Sequence, residues 1–331
     1  NIYGNIQPNA NPYQQMMINP YQYQLPNYNF NNNFNFLYPM QDTNISMRTG
    51  TKSKKLSKKK RRDTFSPEET ISIDEEDANT LFNYGMKLKC GDGVKKNTKK
   101  ANKFIKKAAD KGNISAMATY ATMLRDGDGI TSNIQRSAKY FKKAADKGDT
   151  NSMIQYSNLL SNSNEIQCNI EESNRYLKMA ADHGNASAMT MYAGNLYGGK
   201  GITENKVEAE KYYQMAIKKN YTKAMYNYAF NLNKPNTTLD QKKEAVELYK
   251  LASEKGDKFA MNSYAIALKN GKVIPSDKEE AARYFKMSAD KGCAAALANY
   301  GTMLKNGEGG LQIDKKEAAK YFKMAADKGN N

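Results

Sequence analysis

The chain has 331 residues, a formal net charge of +17, one histidine, three cysteines and no tryptophan. Ser-His-Asp and Cys-His arrangements would both have to use that single histidine, and the three cysteines show no C-x-x-C spacing. We therefore expect no enzyme, no cofactor and no metal site, and since no run approaches the ~18 apolar residues of a membrane span, no transmembrane helix.

Residues 1–51 are predicted to form a disordered tail rich in Asn, Tyr and Gln. Residues 1–41 contain no charged side chain, and this composition buries too little aliphatic surface to offset the entropy of ordering. Aromatic residues set among asparagines are typical of prion-like or condensate-forming segments; the alternative is a passive tail. The tail lacks the basic and apolar regions of a signal peptide, so we expect a cytoplasmic or nuclear protein that is not secreted.

Residues 52–76 read as a linker that is first basic and then acidic. Its basic part, KSKKLSKKKRR at 52–62, is the kind of run that a nuclear import receptor or a nucleic-acid backbone binds. The alternative is a solvated linker. The candidate contacts are Lys54, Lys55, Lys58, Lys59, Lys60, Arg61 and Arg62.

The rest of the chain repeats with a period of 36 residues. One tyrosine marks each copy: Tyr84, Tyr120, Tyr156, Tyr192, Tyr228, Tyr264 and Tyr300. A fixed period of this length predicts a solenoid of stacked supersecondary units. The seven predicted repeats, numbered one to seven below, are 77–113, 114–149, 150–185, 186–221, 222–257, 258–293 and 294–331.

Each repeat is predicted to be a pair of helices, A and B. In repeat two, Asn113 is a suitable N-cap, and Met117, Tyr120, Ala121 and Leu124 follow the i, i+3, i+4, i+7 spacing of one apolar helix face. A DGDG turn follows at 126–129 and precedes helix B, whose predicted buried side is Ser137, Tyr140, Phe141, Ala144 and Ala145.

Residues at the same position in all seven repeats are called a column here. Two such columns predict where helix B begins and ends. The predicted N-caps are Asn97, Asn133, Asn169, Asn205, Gln241, Asp277 and Asp314. The closing residues, which need a left-handed backbone, are Gly112, Gly148, Gly184, Asn220, Gly256, Gly292 and Gly329. Repeats three and five lack the turn glycines and should differ there, and repeat seven has one extra residue near Gly310.

These motifs resemble Sel1-like repeats, relatives of the tetratricopeptide repeats. The resemblance rests on the A-M-x-x-Y-A-x-x-L run, the G-x-G-I/V loop and the A-x-x-Y-F/Y-x-x-A-A-D-x-G close, over roughly residues 77–331. It implies an all-α fold: an α/α superhelical solenoid of seven 36-residue helix-turn-helix repeats, here behind a disordered N-terminal tail. One hairpin buries too few side chains to offset its ordering entropy, so the array should fold cooperatively.

Candidate partner-binding residues lie on the side of helix A opposite its core stripe, which in this family should line the inner curve. This side is polar but almost uncharged, with an apolar group in repeats five and six. The predicted contacts are Thr119, Thr122, Gln155, Asn158, Met191, Asn227, Phe230, Phe259, Ser263, Ile266 and Asn299. The alternative is that these side chains fill gaps between neighbouring A helices.

Three further features complete the prediction. The outer lysines of helix B, such as Lys103 and Lys139, are spread over a surface and indicate solubility and weak affinity for acidic partners. His183 occupies a column that is mostly lysine and suits a helix C-terminus. Asn330 would cap an eighth helix A, so the last helix B has an uncovered flank, explained by truncation or by self-association through the uncapped C-terminal repeat.

The sequence therefore predicts a non-enzymatic scaffold or adaptor that binds a peptide or protein partner on the inner face of the solenoid. The alternative is a nuclear or RNA-associated protein that binds nucleic acid through the basic linker and the outer lysines.

Overall fold

The computed structural model describes residues 77–329. Internal contacts divide the chain into two units, and the described residues belong to the second, residues 68–331. These residues form fourteen α-helices and no strand. In chain order they are α1 (Ala78–Cys90), α2 (Thr98–Asp110), α3 (Ile114–Asp126), α4 (Ile134–Asp146), α5 (Thr150–Asn162), α6 (Ile170–Asp182), α7 (Ala186–Gly198), α8 (Lys206–Lys218), α9 (Thr222–Leu232), α10 (Leu239–Glu254), α11 (Lys258–Asn270), α12 (Lys278–Asp290), α13 (Ala294–Asn306) and α14 (Lys315–Asp327). The predicted tail and linker, residues 1–76, lie outside the described residues.

The helices form seven hairpins, in which the odd-numbered helix is helix A and the even-numbered helix is helix B. Every helix packs against the next one along the chain. Because helix B contacts both its own helix A and that of the following repeat, the hairpins stack in sequence order. The predicted all-α solenoid of seven repeats is confirmed.

Side-chain caps at the predicted positions fix the start of helix B in six of the seven repeats. In each, the cap oxygen accepts the backbone N–H three residues on; the caps are Asn97, Asn133, Asn169, Asn205, Asp277 and Asp314. This bond satisfies one of the backbone donors that every helix start leaves without an intrahelical partner. Six positions of the predicted cap column are therefore confirmed.

The prediction for repeat five was wrong. Thr238, not Gln241, caps α10: the Thr238 hydroxyl accepts the Gln241 N–H at 3.2 Å, and the Gln241 side chain accepts the Thr238 N–H at 3.0 Å. This reciprocal capping box places Gln241 three residues inside the helix. As a result α10 has 16 residues, against 13 in the other B helices.

The residues predicted to close helix B all adopt a positive φ. The value is 94° at Gly148 and 58° at Asn220, which is the one non-glycine residue with positive φ among the described residues. An asparagine tolerates this conformation better than most side chains. The left-handed closing positions are therefore confirmed.

In the repeats that have turn glycines, these residues provide the positive φ of the turn between helices A and B. Gly127 and Gly129 have φ of 73° and 69°, and a Cβ on Gly129 would lie 2.5 Å from the Thr98 side chain of the preceding repeat. In repeats three and five the residues that directly follow helix A, Ser163 and Asn233, have negative φ. The predicted difference in these two turns is confirmed.

The periodic tyrosine joins the two helices of a hairpin. In six repeats its ring meets an aromatic ring of helix B edge to face, with centroids 4.8–5.0 Å apart, as between Tyr120 and Tyr140. Such pairs stabilise a core beyond the area they bury. In repeat five the helix B position is Leu248, and Tyr228 instead stacks on Tyr213 of repeat four at 5.2 Å.

A second tyrosine links neighbouring repeats. The hydroxyl of Tyr140 donates to Asp110 of repeat one at 2.6 Å, and that of Tyr212 donates to Asp182 of repeat three at 2.8 Å. Tyr176 bonds Asp146 in the same way. Repeats one to four are thus joined on the helix B side by a series of tyrosine–aspartate hydrogen bonds.

Candidate functional site

The predicted partner-binding residues all lie on A helices and are partly or fully accessible. Asn227, Phe230, Phe259 and Ile266 are exposed. The others are half-buried: Thr119, Thr122, Gln155, Asn158, Met191, Ser263 and Asn299.

Several polar members of this set already bind within the chain. Gln155 accepts a hydrogen bond from Arg125 of the preceding A helix at 2.7 Å, and Asn299 donates to Asn262 of the preceding A helix at 2.9 Å. These side chains bridge neighbouring A helices, as the alternative interpretation proposes.

The apolar members differ, because three aromatic rings gather on repeats five and six. Tyr226 lies between Phe230 and Phe259, with ring centroids 6.4 and 6.0 Å away. The centroid of the buried Tyr249 ring lies 5.8 Å from that of Tyr226. We call Tyr226, Phe230, Tyr249 and Phe259 the aromatic cluster. Phe230 and Phe259 remain 38% exposed, so the internal contacts leave a substantial part of each ring accessible.

Sequence reasoning missed Tyr226, although a signal was present. Its column reads Phe82, Ala118, Ile154, Thr190, Tyr226, Asn262 and Ala298. No residue type recurs in this column, so the tyrosine is not part of the repeat pattern and indicates a contact specific to repeat five. Ile266 lies seven residues beyond Phe259 on α11, two turns and about 10 Å along the same face.

The aromatic cluster is uncharged at neutral pH. Burial, and next the nearby Asp257 carboxylate, raise the pKa of Tyr226 to about 12, although a hydrogen bond with Ser263 acts to lower it. Burial likewise raises the pKa of Tyr249. At the edge of the cluster, the Lys258 ammonium lies 5.2 Å from the centroid of the Phe259 ring. The surface therefore presents apolar rings with one cation beside them.

His183 has a structural contact. Its Nδ1 lies 2.7 Å from the Met179 carbonyl oxygen at the end of α6, and the same oxygen accepts the His183 backbone N–H at 3.1 Å. Between residues 77 and 329, no three His, Cys, Asp or Glu side chains are placed to hold a metal ion. Within the same range, no helix has both the length and the apolar character needed to cross a bilayer.

A shallow cleft of about 670 Å³ lies on the other side of the array, between α6 and α8. One of its two carboxylates, Asp182, accepts hydrogen bonds from Lys178 and Tyr212, both at 2.8 Å, and the other, Glu208, accepts one from Asn205 at 3.3 Å. Because both carboxylates already have partners, we assign the cleft no chemistry.

Two other predicted sites have different outcomes. The basic residues Lys54 to Arg62 lie outside the described residues. On α14, Phe322 is 37% exposed and Met324 is 45% exposed, whereas the equivalent Phe285 on α12 is covered by α13 and is 1% exposed. The uncovered flank of the last helix B is present, and its use in self-association stays a prediction.

Comparison with known proteins identifies the repeat. The Sel1 repeat model matches seven times, at residues 78–113, 114–149, 152–185, 186–221, 222–257, 258–293 and 294–330. The chain belongs to the Sel1 repeat family. Sel1 repeat proteins are generally protein–protein interaction scaffolds and generally non-catalytic.

Two solved structures illustrate the similarity. A Sel1 repeat protein from Oxalobacter formigenes shares 25% identity, with a TM-score of 0.67 over 77% of this chain and 73% of that one. A protective antigen of uropathogenic Escherichia coli with an SLR fold shares 22% identity, with a TM-score of 0.68 over 76% of this chain. The chain spans about half of that antigen, 53%. No protein with a curated description matches the chain.

Proposed function

We propose that this Sel1 repeat protein is a non-enzymatic scaffold that binds a peptide or protein partner on its A-helix face, with the aromatic cluster as the anchor. The observation that carries the proposal is the grouping of Tyr226, Phe230 and Phe259 on adjacent repeats, with two of the three rings more than a third exposed.

The repeat itself does not require these rings. At the Phe259 column the other repeats have Asn79, Ser115, Asn151, Ser187, Lys223 and Ala295. At the Phe230 column they have Met86, Thr122, Asn158, Gly194, Ile266 and Thr302. Since the hairpins stack without a phenylalanine at either position, the two rings are not needed for the fold.

Exposed aromatic side chains that are held in place make effective anchors. A partner that covers such a ring gains apolar burial at about 25 cal/mol per Å², and a ring packed on its neighbours loses little conformational freedom on binding. Asn227 and Ser263 add hydrogen-bonding groups on the same side of α9 and α11. This combination of rigid aromatic and adaptable polar groups suits a polypeptide ligand.

The test combines a double substitution with a matched control. Phe230→Ala together with Phe259→Ala should weaken partner binding by about 10- to 100-fold, as truncation of aromatic hot spots does. The control is Phe322→Ala on α14, a residue of the same type and nearly the same exposure, 37%. Partners are captured from the native cell with full-length protein and quantified by mass spectrometry, and thermal unfolding verifies that each variant is folded.

The expected result is a defined set of proteins lost with the double variant and retained with Phe322→Ala. Retention of the same set by the folded double variant would remove the aromatic cluster from the binding site. Loss of the set with both variants would assign the effect to general surface hydrophobicity.

A further inference from the structure

The positive charge of the array is concentrated in repeat one. Residues 77–113 contain ten lysines and three aspartates, whereas residues 150–185 of repeat three contain two basic and four acidic residues. Five of the ten lysines lie on α2, the helix B of repeat one. With ten lysines against three aspartates, repeat one has a net charge of +7 and is the most positive of the seven repeats.

On α2 the lysines stand opposite the buried side. At 100° per residue, Lys99, Lys100, Lys103 and Lys106 fall within an arc of about 120°, whereas the buried residues Phe104, Ile105 and Ala108 lie on the other side. We call these four lysines the lysine face. Lys99 and Lys103 are exposed, and Lys100 and Lys106 are half-buried.

The lysine face opposes the electrostatics of its own helix. The third helical residue is Glu172, Glu208, Glu280 or Glu317 in α6, α8, α12 and α14, but Lys100 in α2. A carboxylate near a helix N-terminus is stabilised by the helix dipole, and a cation there is destabilised. Lys100 therefore makes the first turn of α2 less stable than a glutamate at the same position would.

Three of the α2 lysines also lack the pairing found in later repeats. Glu280 pairs with Arg283 at 2.8 Å and Glu317 with Lys320 at 2.6 Å. In α2 the corresponding neighbours are Lys100 and Lys103, which repel. Lys106 pairs with Asp110 at 2.6 Å, but no carboxylate among the described residues pairs with Lys99, Lys100 or Lys103.

We propose that the lysine face of α2 binds the phosphate backbone of nucleic acid, without reading the base sequence. An external polyanion would neutralise the repulsion among these lysines and release its own counterions, a large source of affinity. The site is independent of the aromatic cluster.

The surroundings of the lysine face favour this partner over others. Within residues 77–113 no large apolar side chain is exposed. A specific acidic peptide needs buried anchor residues, and stable attachment to a membrane surface usually adds apolar insertion to charge. A face that offers charge alone suits a dense, regular line of phosphates.

The test uses the full chain and a fluorescein-labelled RNA duplex of about 20 base pairs, titrated at several salt concentrations. Lys99→Glu with Lys100→Glu gives α2 the acidic pair that α12 has at Glu279 and Glu280. This variant should bind at least about tenfold more weakly at low salt and lower the slope of log K against log salt by about 2. Its unfolding midpoint should rise by about 2–4 °C, because the helix dipole is now satisfied.

The matched control is Lys315→Glu with Lys316→Glu in the first turn of α14. It changes the net charge by the same amount and improves the same kind of helix start, so it should raise the unfolding midpoint without loss of RNA binding. Lys103→Gln is a milder third variant, expected to weaken binding and lower the salt slope by about 1.

Several results would overturn the proposal. An equal loss with the α2 and α14 variants would show attraction by net charge alone. Binding that disappears when residues 52–62 are deleted but survives Lys99→Glu with Lys100→Glu would place the site in the linker. Binding to phosphatidylserine vesicles or polyglutamate, without binding to the RNA duplex, would replace nucleic acid with a membrane or an acidic polypeptide.

Discussion

Repeat two, residues 114–149, and repeat five, residues 222–257, pack into the same stack through different turns and contacts. Repeat two has the glycine turn at Gly127 and Gly129, and a hydrogen bond from Tyr140 to the repeat before it. Repeat five has no turn glycine, and its α9 has 11 residues, two fewer than α3. Its Tyr228 stacks on a ring of repeat four instead of a ring of its own helix B.

One feature is common to both repeats. Met117, Tyr120, Ala121 and Leu124 are buried in repeat two, as are Met225, Tyr228, Ala229 and Leu232 in repeat five. The stripe on helix A therefore specifies the stack, because it packs against helices on both sides of it. Turns and the start of helix B can vary. Repeat five, in which the turn and the start of helix B differ, is also the repeat that contributes Tyr226 and Phe230 to the candidate binding site.

The largest expected effect concerns the glycine turn that repeat five lacks. We expect Gly129→Ala to lower the free energy of unfolding by about 2–4 kcal/mol, through strain at positive φ and through a clash of the new Cβ with Thr98 at 2.5 Å. Gly93→Ala is the control: it has nearly the same φ, 67° against 69°, and no atom within 4 Å of the new Cβ. It should cost about 1–2 kcal/mol, the strain alone.

Urea unfolding of both variants measures the difference. The excess cost of Gly129→Ala reports the contact between repeats one and two. Equal costs would mean that the turn glycines serve only the local backbone, and that repeat five lost nothing at its interface by losing them.

A smaller effect is expected at the hydrogen bond from Tyr140 to Asp110. Tyr140→Phe should cost about 1 kcal/mol at neutral pH. Tyr284→Phe, which removes no such bond among the described contacts, should cost less. Unfolding at several pH values measures both.

The pH dependence follows from Asp110. Burial acts to raise the pKa of Asp110, but hydrogen bonds from Lys106 and Tyr140 outweigh it and leave the pKa below the ordinary value of an aspartate. A lowered folded-state pKa means that this stabilisation is complete above the unfolded pKa and is lost as pH falls through the folded pKa. The difference between wild type and Tyr140→Phe should therefore shrink below about pH 4. A difference that stays constant down to pH 2 would show that Asp110 is not the partner.

Sequence reasoning predicted most of the fold, because the repeat provides seven observations of each position. The column of closing residues identified even Asn220 as left-handed, since six glycines define what the position requires. The method failed at Gln241 for the same reason: it assigned the column rule to a repeat whose turn had changed, although Thr238 and Gln241 form a capping-box sequence of their own.

The candidate site was predictable only in part. Phe230 and Phe259 stood out because no other repeat has an aromatic residue in either column, and the exposure of both was foreseen. Tyr226 was missed because its contact with Phe259 depends on the relative position of α9 and α11, which no column records. The bond from Arg125 to Gln155 was missed for a similar reason, because it joins different columns of two A helices.

The smallest expected effect, that of Gln241→Ala, belongs to a set of variants that tests the correction in repeat five. Thr238→Ala removes the cap oxygen and should cost about 1 kcal/mol. Gln241→Ala keeps the Thr238 cap and removes only the reciprocal bond, so we expect about half that cost. Asn133→Ala in repeat two, a cap without a reciprocal partner, is the reference and should resemble Thr238→Ala. Chemical unfolding separates the three. A larger cost for Gln241→Ala than for Thr238→Ala would restore the column rule and place the start of α10 three residues later.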